Sequence, residues 1–206
     1  KDGSFKINRL ISNNLGKVKE YSALLGSNFD PVPLSSLGLE LDVDENGATY
    51  EENALIKLNY LKSRCELPII TDDSGLEVNF LEGRPGMYSA RYSGDNATDD
   101  SNIEKLLNEL DAFQMQSKLP LKENHARFVC TIAYFNPSSS DIVITSTGDC
   151  QGQILSSRRG TGGFGYDPIF YLKELGKTFA ELSAEEKNTI SHRSQAVKEL
   201  LKRINI

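Results

Sequence analysis

Residues 126–135 (ARFVCTIAYF) and 142–155 (IVITSTGDCQGQIL) narrow the folds open to this chain more than any other stretch. Both are rich in β-branched and aromatic side chains, and the NPSSSD segment between them carries turn chemistry. They predict a long antiparallel pair, so the fold must contain a sheet. Around that pair, strand and helix signals mix irregularly. A strand is expected from Ile7 to Ser12, although Asn8 and Arg9 suit a buried strand poorly. The turn NNLG (13–16) follows, then a helix from Lys17 to about Leu25. Pro31 and Pro33 mark an extended segment. The acidic turn DVDENG (42–47) precedes TYEE (49–52), whose spacing is that of a capping box opening a helix to about Cys65.

Pro68 leads into an apolar strand from Ile69 to Thr71, after which Asp72, Asp73, Ser74 and Gly75 read as a turn. LEVNFL (76–81) alternates like an exposed strand. A loop over 82–94 and a helix from about Asp99 to Leu110 come next, then a linker-like stretch from Gln114 to Asn124. Beyond the long pair lie a glycine-rich loop, RRGTGGFGYD (158–167), and a short strand from Pro168 to Leu172. SAEE (183–186) is a second capping box, opening a terminal helix to about Arg203. Helices and strands without strict βαβ alternation give an α/β or α+β class with a mixed sheet.

The 206 residues, 38% hydrophobic and 25% charged, fit one domain over 1–206, with the polar KDGSFK (1–6) expected to be a flexible tail. The formal net charge of −6 argues against nucleic acid or an anionic membrane as partner. No apolar run approaches the roughly 18 residues of a membrane helix. Cys65, Cys130 and Cys150 are odd in number and lack CxxC spacing, which points to reduced thiols and a cytoplasmic location.

Four clusters can carry chemistry. SNNLGK (12–17) lies at a strand-to-helix junction, where free N–H groups and Lys17 would cradle an anion; a polar turn with a solvated lysine is the plain alternative. Glu45, Asp72 and Asp73 offer hard carboxylate oxygens suited to Mg²⁺, against the alternative of Asp-Ser-Gly turn capping. In GTGGFGYD (160–167), Phe164 or Tyr166 could stack on a planar base, or the loop could be a plain surface turn. KNTISHR (187–193) places Lys187, Ser191, His192 and Arg193 within two helical turns, able to meet an acceptor-rich ligand or to form a solvated face. Together the four are the parts expected of a nucleoside phosphate site.

These segments resemble the inosine triphosphate pyrophosphatase family, which removes non-standard purine nucleotides from the nucleotide pool. The resemblance rests on SNNLGK (12–17), ENA (52–54), TDDSGL (71–76) and PGMYSARYSG (85–94). It continues through GTGGFGYDP (160–168), GKT (176–178), AEL (180–182) and EKNTISHR (186–193). It implies an α/β fold with an elongated mixed sheet flanked by helices, two lobes with an active-site cleft between them, and a homodimer. The implied reaction hydrolyses ITP, dITP or XTP to the monophosphate and pyrophosphate with Mg²⁺. By position, Ser12, Asn13, Asn14, Leu15, Gly16 and Lys17 would hold the triphosphate. Glu45 and Asp73 would bind the metal, Asp73 also acting as general base, with Asp72 assisting and Ser74 touching substrate. Phe164, Gly165, Tyr166 and Asp167 would contact the base, and Lys187, His192 and Arg193 would read it. Ser12 stands where threonine is more usual, and Asn8 and Arg9 replace apolar residues. A related pyrophosphatase for aberrant pyrimidine nucleotides and a nucleotide-binding module without turnover are the competing readings.

Overall fold

A computed structural model describes residues 8–12, 15–117, 124–139 and 141–204. Eight strands form one sheet: β1 (Asn8–Ser12), β2 (Phe29–Pro33), β3 (Ile69–Val78), β4 (Pro85–Gly86), β5 (His125–Phe135), β6 (Ile144–Ile154), β7 (Phe170–Leu172) and β8 (Lys177–Thr178). Their order is β2-β1-β3-β5-β6-β7-β8, with β4 on β3. The sheet is mixed, as expected: β1 pairs parallel with β2 and β3, whereas β3–β4, β6–β7 and β7–β8 are antiparallel. The extended segment marked by Pro31 and Pro33 is the edge strand β2, where a missing N–H is tolerated. Five α-helices flank the sheet: α1 (Leu15–Leu25), α2 (Tyr50–Lys62), α3 (Asp99–Ser117), α4 (Ala184–Ile190) and α5 (His192–Arg203). None of these is long and apolar enough to cross a membrane.

Several expected boundaries shift, and three of the shifts matter most. Helix α3 continues through what reads as linker, to Ser117. The terminal helix is two helices, broken at Ser191, whose backbone is extended (φ −66°, ψ 157°). The strand expected to stop at Thr71 runs on through the Asp-Asp-Ser-Gly segment to Val78. The Ser183 capping box is present, with Ser183 accepting from the Glu186 N–H and Glu186 accepting from the Ser183 N–H.

The chain divides into two compact units. The first comprises Lys1–Asp73, Cys130–Gly148 and Arg193–Ile206, the second Ser74–Val129 and Asp149–His192. In the first unit, alternate residues of β3 and β5 enter different cores. Ile70, Cys130, Ile132 and Tyr134 pack with Tyr21 and Leu25 of α1 and with Ala196, Val197 and Leu200 of α5. Ile69, Ala133 and Phe135 pack with Ala54, Leu58 and Leu61 of α2. Burial on both faces is why this part of β5 reads as an unbroken apolar run. The second unit has one core, in which Leu76, Phe128, Tyr166, Phe170 and Phe179 meet Ile103, Leu106 and Leu110 of α3.

Candidate active site

A strand turns its side chains alternately to opposite faces, so neighbouring residues within β3 do not share surroundings. Asp72 and Asp73, adjacent within β3, therefore meet different partners. Asp72 lies on the face of Ile70, and its Oδ2 is 2.8 Å from Lys17 Nζ and 3.3 Å from Arg193 Nη2. Cys130 Sγ also points to it at 3.8 Å. Burial alone would push the Asp72 carboxyl up, but Lys17 and Arg193 outweigh it and hold the group well below the usual carboxylate range. Arg193 is buried too and also pairs with Glu20; burial opposes its charge, and Asp72 and Glu20 more than restore it.

Asp72, expected to assist the metal, is thus the counter-ion of two protein cations, Lys17 and Arg193. Lys17, expected at the triphosphate, stands in the first turn of α1 and meets Asp72 because β1 and β3 are parallel neighbours (Ile11 opposite Ile69). Its side chain keeps 15% exposure, so its ammonium is not sealed off. Ser12 ends β1, and Leu15 and Gly16 open α1; Asn13 and Asn14 lie outside the described residues. The carboxyl end of a parallel strand leading into a helix is where ligands collect in such sheets.

Asp73 lies on the α2 face. Asn53 and Lys57, one turn apart on α2, both reach it: Asn53 Nδ2 donates to Asp73 Oδ2 at 2.9 Å, and Lys57 Nζ is 3.9 Å from Oδ1. Lys57 also sits 2.8 Å from Glu45 Oε2 and donates to the Asp72 carbonyl at 3.0 Å. Burial, with help from Glu45, raises the proton affinity of Asp73 more than Lys57 and Asn53 lower it. Sequence reasoning gave Asn53 and Lys57 no role. The available signal was their register: they interleave with Ala54, Leu58 and Leu61 on the buried side of α2, where a polar residue needs a partner.

Glu45 and Asp73 thus converge on one cation, the Lys57 ammonium. No group of three or more His, Cys, Asp or Glu ligands comes together among the described residues. Two carboxylates fit Mg²⁺ well, since that ion takes one or two from protein and the rest from water and phosphate oxygens. They would suit a closed zinc or calcium cage poorly.

A second cluster lies in the second unit. Asp167 Oδ2 accepts from Lys187 Nζ at 2.6 Å and from the Phe164 N–H at 3.1 Å, so one carboxylate places both residues. The Lys187 ammonium is 5.0 Å from the centre of the Phe164 ring, which is 39% exposed. The Gly165 N–H donates to Asp99 Oδ2 at the start of α3 (2.7 Å), and Gly165 itself has φ +60°. Tyr166, read as a possible stacking ring, is instead in the core, its hydroxyl donating to the Ser89 carbonyl. His192 is buried and stacked on Phe128, with centroids 4.8 Å apart. The break at Ser191 means that Lys187, His192 and Arg193 do not form one helix face. Ser74, within β3, is half-buried.

The profile of the Ham1 family matches residues 9–203. The chain belongs to the Ham1 family. A Halalkalibacterium halodurans member named dITP/XTP pyrophosphatase is 45% identical over 192 residues, covering 93% of this chain and 95% of its own. The Escherichia coli K12 protein of the same name is 44% identical over 193 residues, 93% and 94% of the two chains. The solved Staphylococcus aureus Ham1 protein superimposes with a TM-score of 0.79 at 39% identity, covering 96% of this chain and 98% of that one. Ham1 membership thus extends over nearly the whole chain and includes every residue of both clusters.

Proposed function

We propose that this chain is a nucleoside triphosphate pyrophosphatase that hydrolyses the non-standard purine nucleotides ITP, dITP and XTP to the monophosphate and pyrophosphate. Its Ham1 relatives bear the name of that activity. The observation that carries the chemistry is geometric: Asp73, a buried carboxylate, faces Glu45 across one cation. Asp73 takes a proton from the water that attacks the α-phosphorus. The bond from that phosphorus to the bridging oxygen breaks, and the electron pair leaves with pyrophosphate. Glu45 and Asp73 would hold Mg²⁺, which supplies charge neutralisation on the phosphates. Lys17 and the start of α1 bind the triphosphate, with Ser12 at the end of β1, and Ser74 of β3 touches the substrate. Donor placement before reaction is the main source of rate here, because little covalent chemistry falls to the protein.

Phe164 stacks on the base and Lys187 donates to the oxygen at position 6. Adenine presents an amino group there and would leave a donor facing a donor. Arg193 serves the reaction through Asp72, and His192 through the aromatic layer it shares with Phe128. A homodimer and a cytoplasmic location belong to the same reading. The test is pyrophosphate release with Mg²⁺ from ITP, XTP, dITP, ATP, GTP and a modified pyrimidine triphosphate. Release from the first three well ahead of the rest supports the proposal. Equal rates on all would remove the specificity, and binding without release would make the chain a nucleotide-binding module.

A further inference from the structure

We infer that Asn53 is a positioning residue for the spacing between Glu45 and Asp73, latching the acidic segment 42–47 to β3 alongside the Lys57 ammonium that also bridges the two. This rests on the pyrophosphatase reading only in taking those two carboxylates as a divalent-cation pair.

The two carboxylates come from unlike supports. Asp73 is part of a central strand and cannot shift without the sheet. Glu45 sits two residues before Gly47 in a segment without regular structure, where nothing in the backbone sets its distance from β3. Asn53 joins the two. Its Oδ1 accepts the Gly47 N–H at 2.8 Å, and its Nδ2 donates to Asp73 Oδ2 at 2.9 Å. Both ends of one amide are used, and the residue is only 2% exposed, its bond to Asp73 buried and its bond to Gly47 half-buried. The neighbouring Glu52 reinforces the turn by accepting the Ala48 N–H at 2.7 Å. A carboxylate pair bound to a small, rigid cation needs its spacing held within a few tenths of an ångström, and hydrogen-bond partners of ligands commonly supply that.

Gly47 offers an independent way to disturb the same link from its other end. A Cβ at this position would lie 2.8 Å from Asn53 Oδ1 and 2.7 Å from Glu52 Cβ, closer than atoms pack. Gly47→Ala must therefore move the turn away from the amide while leaving Asn53 and Asp73 chemically intact.

The experiment compares wild type, Asn53→Ala and Gly47→Ala by two readouts. One is Mn²⁺ binding to the substrate-free protein, followed by the resonance signal of free Mn²⁺. The other is the Mg²⁺ concentration for half-maximal pyrophosphate release at saturating ITP. Both variants should bind Mn²⁺ about ten- to a hundredfold more weakly, the range seen when a ligand loses its orienting partner. Their Mg²⁺ requirement should rise in parallel, with kcat returning to near wild type at high Mg²⁺. Wild-type Mn²⁺ affinity in either folded variant would overturn the inference, as would absence of Mn²⁺ binding to the wild type. Weakened Mn²⁺ binding in proteins that release no pyrophosphate from ITP would leave the latch standing and remove the catalytic reading instead.

Discussion

Replacing Asp72 by Asn measures what the buried ion cluster contributes. Asp72 is 1% exposed and Arg193 also 1%, so their contact at 3.3 Å is fully shielded; Lys17, at 2.8 Å, is partly open. Breaking a buried pair on one side costs about 3–5 kcal/mol, chiefly from the charge left behind. Glu20 still faces Arg193 in the variant, which puts the expected loss at the lower end, about 3 kcal/mol. The assay is urea unfolding followed by circular dichroism. Its pH dependence has a definite sign. Lys17 and Arg193, overcoming burial, depress the folded-state pKa of Asp72, so its contribution is complete above the unfolded value near about 4 and drains away as the pH falls below it. The gap between wild type and Asp72→Asn should be equal at pH 7 and pH 5.5 and should narrow below about pH 4. A gap under about 1 kcal/mol at pH 7, the range of an exposed pair, would refute the reasoning. So would a gap that widens on acidification.

Asp99→Ala should release the Gly165 N–H and loosen the Phe164 loop, raising KM for ITP about fivefold, equivalent to roughly 1 kcal/mol, with kcat little changed; an unchanged KM would remove Asp99 from base binding. Burial, and then Asp149, pushes the Cys150 thiol up to about 11. At pH 8, iodoacetamide should therefore modify Cys150 about a hundredfold more slowly than a free thiol, and peptide mass spectrometry would show the rate recovering as the pH approaches that value.

Much of the architecture is legible in the residues: the β5–β6 pair, the Ser183 capping box and the helix over 50–62 follow from local pattern. What is not legible depends on distant partners. Asp-Asp-Ser-Gly reads as a turn because Asp-Ser-Gly is common turn chemistry. In the fold, Lys17 and Arg193 partner Asp72 while Asn53 and Lys57 partner Asp73, and the strand continues. Tyr166 reads equally well as a ligand contact or a core ring, and only the Ser89 carbonyl decides between them. The break at Ser191 carries no glycine or proline to announce it. At the site, residue types and order identify Lys17, Asp73, Phe164 and Lys187 as candidates. The separation of Asp72 from Asp73 follows only once the strand is known to pass through both.

The Arg193 ion pairs also bear on when this protein can finish folding as it is made. Arg193 is 173 residues from Glu20 and 121 from Asp72, among the longest-range contacts in the chain. The second unit has all its segments once His192 has been added, whereas the first still lacks Arg193–Ile206. On a ribosome, then, the unit whose residues come first is completed last, with Asp72 holding only part of its counter-charge until α5 emerges. Chains interrupted before residue 193 would hold every segment of the second unit but lack Ala196, Val197 and Leu200, which pack on Tyr21, Ile70 and Ile132 in the first. Chains that leave apolar residues without such partners are what cellular quality control removes.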